Sequence, residues 1–230
     1  MKVVATIYTD FSEKFGIPRQ GALAHESEGI IVFEPEYRME EALRGIEKYS
    51  HLWLLWQFSE NVSKKWSPTV RPPRLGGNKR VFATRSPFRP NPIGLTAVRL
   101  IGVEQTKNKG AVLRVAGVDL MNGTPIYDIK PYLPYADSIP EASLGFAGEH
   151  LMDVLEVVCS DELWGKIPED KRGALEEVLS QDPRPAYHED ETRKYGMEFS
   201  GFDIIFHVKE KVLYVDEIKK GNLTTKSKLL

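Results

Sequence analysis

The stretch from Trp66 to Gly94 limits the fold more than any other part of the chain. Prolines at 68, 72, 73, 87, 90 and 92 remove backbone donors and fix φ, so neither a regular helix nor a central strand can run through most of it. It reads as a long ordered loop, anchored by the apolar residues Trp66, Val70, Leu75, Val81, Phe82, Phe88 and Ile93. Its charge has one sign. From Asn61 to Val103 there is no Asp or Glu, whereas Lys64, Lys65, Arg71, Arg74, Lys79, Arg80, Arg85, Arg89 and Arg99 supply +9, which leaves −11 for the rest of a chain whose net charge is −2. A near-neutral protein therefore carries one cationic face. A solvated, proline-stiffened loop is the plain reading of that face. Arginines set between prolines and aromatics are better explained by an anionic ligand such as a nucleic-acid backbone.

The elements on either side suggest a small sheet. Lys2 to Ile7, Gly29 to Phe33, Leu95 to Val103, Ala111 to Val118 and Ile126 to Lys130 have the β-branched, turn-bounded character of strands, and Asn122-Gly123 is a strong turn signal. The apolar run Leu52 to Phe58 is expected to be a central strand buried on both faces. Tyr37 to Lys48 places Met39, Leu43 and Ile46 at helical spacing, which predicts one amphipathic helix. With so few crossover helices, a parallel doubly wound sheet fits poorly, and a small, largely antiparallel β-barrel over residues 1–145 fits better. Residues 146–218 read as a smaller α+β unit, with a strand over Leu151 to Val158, a helix over Pro168 to Leu179, and strands over Gly201 to Val208 and Lys211 to Ile218. Residues 219–230 read as a flexible tail. The fold class is thus mainly β, or α+β.

Composition narrows the setting. At 41% hydrophobic and 28% charged residues the chain is expected to fold rather than stay disordered. The lone Cys159 allows no internal disulfide and argues for a reducing, cytoplasmic compartment, and no apolar run has the length of a membrane span. Neither G-x-G-x-x-G nor G-x-x-x-x-G-K-[ST] occurs, so the usual nucleotide cradles are missing. Gly76-Gly77 is more often a turn than an anion nest. His51 stands alone as a structural histidine would, and the scattered histidines give no metal-ligand spacing. Asp119, Asp128 and Asp182 sit at strand ends or turns, where Asp commonly bonds the backbone. Asp182-Pro-Arg-Pro-Ala-Tyr187 differs, because two prolines stiffen a segment that presents an acid, a guanidinium and a phenol together, as a substrate wall would.

Several ordered blocks carry a resemblance. Pro18-Arg19-Gln20, Ser50-His51-Leu52-Trp53, RPPRLGGN from Arg71, VFATRSPFRPNPIG from Val81, DLMNGTP from Asp119, DIKPY from Asp128 and DPRPAY from Asp182 resemble the TsaA-like family over most of the chain. That resemblance implies a homodimeric tRNA methyltransferase that binds S-adenosyl-L-methionine on a small β-barrel. Its implied substrate is the threonylcarbamoyl-modified adenosine beside the anticodon, methylated on the exocyclic nitrogen. Carried over by position, the cofactor site comprises Pro18, Arg19, Gln20, His51, Leu52, Arg85, Leu95, Asp119, Leu120, Met121 and Asn122. At Met121-Asn122 the chain departs from the enterobacterial pattern, which has Val-Asp at that turn.

The chemistry asks for a base, because the carbamoylated amine shares its lone pair with ring and carbonyl and is a weak nucleophile. Asp128, Asp182 and Tyr187 are the groups for that role, and Arg71, Arg74, Arg89, Lys130 and Arg184 are the substrate-facing cations. Trp66, Phe88 and Tyr187 offer stacking surfaces for an extruded base. Two rival readings stay open: a non-catalytic RNA-binding barrel, and a sensor that binds S-adenosylmethionine.

Overall fold

A computed structural model of the protein describes residues 1–61, 65–71, 78–150, 154–184 and 190–221, without the side chains of 147, 149 and 150. In chain order, β1 (Ala5–Thr9) and β2 (Glu28–Phe33) pair antiparallel, and a short helix α1 (Glu40–Leu43) precedes β3 (His51–Gln57). The proline-rich stretch holds only the two-residue strands β4 (Thr69–Val70) and β5 (Lys79–Arg80), followed by a 3-10 turn over Val81–Ala83. The long hairpin β6 (Ile93–Thr106) and β7 (Gly110–Ala116) comes next, and then β8 (Thr124–Pro131). These strands close into a barrel in the order β1-β2-β7-β6-β3-β8, with antiparallel pairing throughout. The interior is filled by alternate residues such as Ile7, Ile31, Leu52, Leu54, Val98, Leu113 and Ile126.

After α2 (Pro134–Asp137) the chain leaves the barrel and builds the second part from β9 (Glu156–Val158), α3 (Asp161–Trp164), α4 (Glu169–Ser180), β10 (Tyr195–Phe199), β11 (Phe202–Lys209) and β12 (Val212–Lys220). Its strands form a sheet in the order β10-β11-β12-β9, with β9 parallel to β12. Leu175, Val178 and Leu179 of α4 are buried, in keeping with their helical spacing. The two parts share packing: Phe11 meets Phe199 edge-on with ring centroids 5.8 Å apart, and Lys171 Nζ lies 2.7 Å from Asp10 Oδ2. Among the described residues no helix is long and apolar enough to cross a membrane.

Four expectations need correction. Residues 37–48 do not form one helix: Gly45 takes φ +91°, which ends α1 after four residues, and a separate 3-10 turn follows over Ile46–Lys48. Met39, placed on the helical stripe, is 60% exposed. β3 is buried on one face only, since Leu52, Leu54 and Trp56 point inward while the residues between them are part-exposed, as closure into a barrel requires. In the second part β9 covers only Glu156–Val158, residues 151–153 lie outside the described residues, and β10 and α3 were not foreseen. Of the loop anchors, Val70 and Val81 are buried, but Trp66, Phe82, Phe88 and Ile93 are exposed, and Leu75 lies outside the described residues.

Candidate functional site

One cleft opens at the barrel mouth and encloses about 520 Å³, within the range of small-molecule sites. It is assembled from five places in the chain. Ile17, Pro18, Arg19 and Gln20 come from the loop after β1, Trp56 to Asn61 from the end of β3, Thr84, Arg85, Pro87 and Arg89 from the proline-rich stretch, and Ile93 to Thr96 from the start of β6; Asp119, Met121 and Thr124 complete it. The prolines keep the third segment out of the barrel sheet, which lets it fold over the mouth.

Asp119 is the chemical centre of the cleft. Its Oδ1 accepts from Thr96 Oγ1 at 2.7 Å and its Oδ2 from the Gly21 N–H at 3.0 Å. Burial pushes the carboxyl up to about 6, against the hydrogen bonds from Thr96 and Gly21 and the positive charge of Arg85. Arg85 itself donates to Gln20 Oε1, so the loop after β1 and the proline-rich stretch are tied together across the cleft. Lys14 adds a further cation, with its Nζ 3.5 Å from Asn61 Oδ1. A guanidinium, an acceptor carboxylate and the apolar walls of Ile17, Pro18 and Leu95 fit a ligand that carries a carboxylate, donor groups and an apolar body.

The expected cofactor residues divide into two groups. Pro18, Arg19, Gln20, Arg85, Leu95, Asp119 and Met121 line the cleft together. His51 stands at the other end of β3, exposed, with its ring edge-on to Tyr132 at 6.3 Å, and Leu52 is fully buried inside the barrel. Leu120 is also fully buried, and its carbonyl accepts from Thr9 Oγ1. Asn122 Oδ1 accepts the Thr9 N–H at 3.1 Å, a backbone role that needs an oxygen and no charge. The departure from a carboxylate at that turn therefore leaves the turn closed.

The residues expected to be catalytic or substrate-facing are placed unevenly. Asp128 Oδ2 pairs with Lys130 Nζ at 2.9 Å on β8, and neither residue lines the cleft. Asp182, in the left-handed region at φ +51°, pairs with Arg184 Nε at 2.9 Å, and its carbonyl accepts from Arg19 Nη2 at 3.5 Å. Arg19 thus joins the cleft to the Asp182–Arg184 turn of the same chain. Tyr187, Arg74 and the Gly76-Gly77 pair lie outside the described residues. Arg71 Nε is 3.4 Å from Asn78 Oδ1.

Arg89 has a structural task. Its Nη1 donates to the carbonyls of Val81 at 3.0 Å and Thr84 at 2.7 Å, and its guanidinium lies 5.3 Å from the Phe82 ring centre. Arg89→Ala is expected to loosen this loop and to cost about 1–2 kcal/mol in a thermal or denaturant melt, because the Thr84 carbonyl loses its guanidinium donor while the Val81 carbonyl keeps only the Thr84 N–H and Oγ1. An unchanged melt would show that the guanidinium does not hold the turn.

The sequence reading missed Lys14, Ile17, Trp56, Thr96 and the Gly21 N–H, all of which line the cleft or bond Asp119. Trp56 and Thr96 belong to strands and read as core, and only closure of the barrel puts their inward faces at its mouth. Among the described residues no group of three or more His, Cys, Asp or Glu is placed to hold a metal ion.

Known proteins match the chain along most of its length. Residues 6–138 match the family model described as the tRNA-methyltransferase O N-terminal domain, and residues 156–221 match the TrmO C-terminal domain. The tRNA (adenine(37)-N6)-methyltransferase of Escherichia coli K12 is 41% identical over 215 residues, which is 89% of this chain and 91% of that protein. A Pseudomonas aeruginosa protein named as a candidate S-adenosylmethionine-dependent methyltransferase is 40% identical over 214 residues, 89% of this chain and 90% of that one. Among solved structures, TrmO from Pseudomonas aeruginosa superposes with a TM-score of 0.77 at 35% identity, over 96% of this chain and 97% of that chain.

Proposed function

The chain belongs to the tRNA-methyltransferase O family, and from that premise we propose that it transfers a methyl group from S-adenosyl-L-methionine to N6 of adenosine 37 in tRNA, the position named for its Escherichia coli relative. The more specific acceptor is the threonylcarbamoyl form of that adenosine, and the working compartment is the cytoplasm. The observation that carries the cofactor assignment is the cleft floor, where Asp119 is held as an acceptor and Arg85 lies near enough for its charge to act on the carboxyl.

S-adenosylmethionine supplies an electrophilic sulfonium methyl. The protein's own groups do the rest. Arg85 offers a guanidinium fork for a carboxylate, Asp119 accepts from a ligand N–H or O–H, and Ile17, Pro18 and Leu95 cover apolar surface. Holding donor and acceptor in line supplies much of the rate, and a nearby base removes the proton from a weakly nucleophilic nitrogen. Of the carboxylates expected in that role, Asp182 is tied to the cleft through Arg19, whereas Asp128 is paired with Lys130 away from it. Asp182, with Arg184 beside it, is therefore assigned to the acceptor side, and the phenol of Tyr187 is assigned there from its place in the DPRPAY segment of the sequence. The exposed rings of Trp66, Phe82 and Phe88 and the cations Arg71, Arg74 and Arg80 are assigned to the anticodon loop, by stacking and phosphate contact.

The assembly proposed is a homodimer. Ile93 and Leu95 line the cleft yet leave 38% and 52% of their surface exposed, and a second copy closing over the cleft would cover the part a ligand leaves open. Leu95→Glu is then expected to give monomers in sedimentation analysis and to weaken cofactor affinity several-fold. A dimer that survived this change would move the interface elsewhere.

The test of the function is incubation with labelled S-adenosylmethionine and tRNA, followed by digestion to nucleosides. Label on the adenosine beside the anticodon supports an enzyme. Cofactor or tRNA binding without transfer would favour an RNA-binding barrel or a sensor.

A further inference from the structure

Trp56, Thr96 and Asp119 come from β3, from β6 and from the segment between β7 and β8, and they form one continuous chain of hydrogen bonds. Trp56 Nε1 donates to Thr96 Oγ1 at 3.1 Å, and Thr96 Oγ1 is 2.7 Å from Asp119 Oδ1. The indole N–H only donates, and a hydroxyl has a single proton. With its oxygen already accepting from Trp56, Thr96 has that proton to give to Asp119. The direction of the chain is therefore fixed. On the other side of the carboxylate, Oδ2 takes the Gly21 N–H. Thr96 is 5% exposed and Trp56 is 7% exposed, so water has little access to replace either bond.

We infer that Trp56 and Thr96 are positioning residues, a one-way hydrogen-bond relay that fixes Asp119 as an acceptor for a donor group of the methyl donor. This inference rests on the cofactor reading above. Nothing in the relay needs to touch the ligand. Its effect passes through Asp119, which is oriented by two donors and keeps its remaining lone pairs for the cleft.

A packing role alone would make Thr96→Val nearly silent toward ligand, because valine matches threonine in shape. The relay makes a different demand. Burial raises the Asp119 carboxyl, and the Thr96 hydrogen bond is the largest influence holding it down, ahead of the Gly21 N–H and the Arg85 charge. The other charged groups lining the same cleft are Lys14, Arg19, Arg89 and Glu60, from three further segments, and none of them changes in this substitution. Without Thr96 the carboxyl takes up a proton at higher pH. The ionised carboxylate is the stronger acceptor for a ligand donor, so affinity is greatest above the carboxyl's folded pKa and declines as pH falls through it.

The experiment is calorimetric titration of the full chain with S-adenosylhomocysteine from about pH 5 to 9, for wild type, Thr96→Val, Thr96→Ser and Trp56→Phe, each first shown to be folded by thermal melting. Wild type is expected to lose affinity around pH 6. Thr96→Val should bind about tenfold more weakly near neutral pH, with its midpoint displaced upward. Thr96→Ser should restore both values, and Trp56→Phe should move the midpoint in the same direction by less. If Thr96→Val does not fold, Trp56→Phe decides, and an unmoved midpoint overturns the relay. A folded Thr96→Val with the wild-type profile overturns the relay and leaves the cofactor reading standing. If the wild-type protein binds no S-adenosylhomocysteine at any pH, the cofactor reading falls and the relay with it.

Discussion

Asp119→Asn is expected to melt at a higher temperature than wild type without ligand, while binding S-adenosylhomocysteine about a hundredfold more weakly. The two signs have one cause. The carboxyl is raised from 3.8 to about 6 in the folded protein, chiefly by burial. Between those values the folded state holds more protons than the unfolded one, so this group's contribution to stability falls as pH rises from about 4 to about 6 and stays low above that. At neutral pH the ionised carboxylate therefore costs folding free energy. After allowance for the donor that an amide cannot use, and for the carboxyl's partial exposure, the asparagine variant should gain about 1–2 kcal/mol at pH 7–8. For a chain of this size that is roughly 2–8 °C in Tm. Below about pH 4 the advantage should vanish, since both states are then protonated in the wild type. A ligand donor offsets the cost in the wild type, which is why affinity and ligand-free stability should move in opposite directions. Loss of both in Asp119→Asn would make Asp119 a structural residue.

Gly21→Ala should damage fold and site together. A Cβ at Gly21 would fall deep inside contact distance of the Gly117 carbonyl oxygen, which is backbone and cannot swing away as a side chain would. The Gly117 and Val118 N–H groups both donate to the Ser27 carbonyl, at 2.9 and 3.2 Å, which pins the opposing segment in place. The cost should be about 2–3 kcal/mol or more, or roughly 4–12 °C in Tm. The Gly21 N–H must move with its Cα, and with it one of the two donors on Asp119. S-adenosylhomocysteine affinity should therefore fall at least tenfold even at temperatures where the variant is folded. An alanine variant with wild-type melting and affinity would show that the loop after β1 can retreat from Gly117 without moving Asp119.

The strands of the barrel were legible in the sequence because closure leaves each of them one buried face, and alternation or a short apolar run marks such a face directly. The helix over Tyr37 to Lys48 was misread because periodicity counts Met39, Leu43 and Ile46 but does not register Gly45, whose left-handed backbone splits the segment. Of the site, the proline-rich stretch and the charge of Arg85 are visible directly, Asp119 reads as a turn residue that bonds the backbone, and both join the cofactor set only through the family resemblance. Thr96 and Trp56 were not, because a threonine in a strand and a tryptophan in an apolar run look like core until the register Trp56↔Gly94 brings β3 and β6 side by side. Gly94 allows that approach, since a Cβ there would collide with the Trp56 ring. Arg89, expected to face the substrate from its charge, lines the cleft and also directs its guanidinium to the carbonyls of Val81 and Thr84, a contact that charge alone does not reveal.

A cleft between Arg85 and Asp119 that binds the methyl donor must hold its demethylated product as well. A crystal structure of the protein grown with saturating S-adenosylhomocysteine tests it most directly. The ligand is expected in this cleft, with its carboxylate at the Arg85 guanidinium and one of its donor groups within hydrogen-bond reach of Asp119. Density for the ligand anywhere else on the chain, with Arg85 still bonded to Gln20 and Asp119 facing no ligand atom, would contradict it.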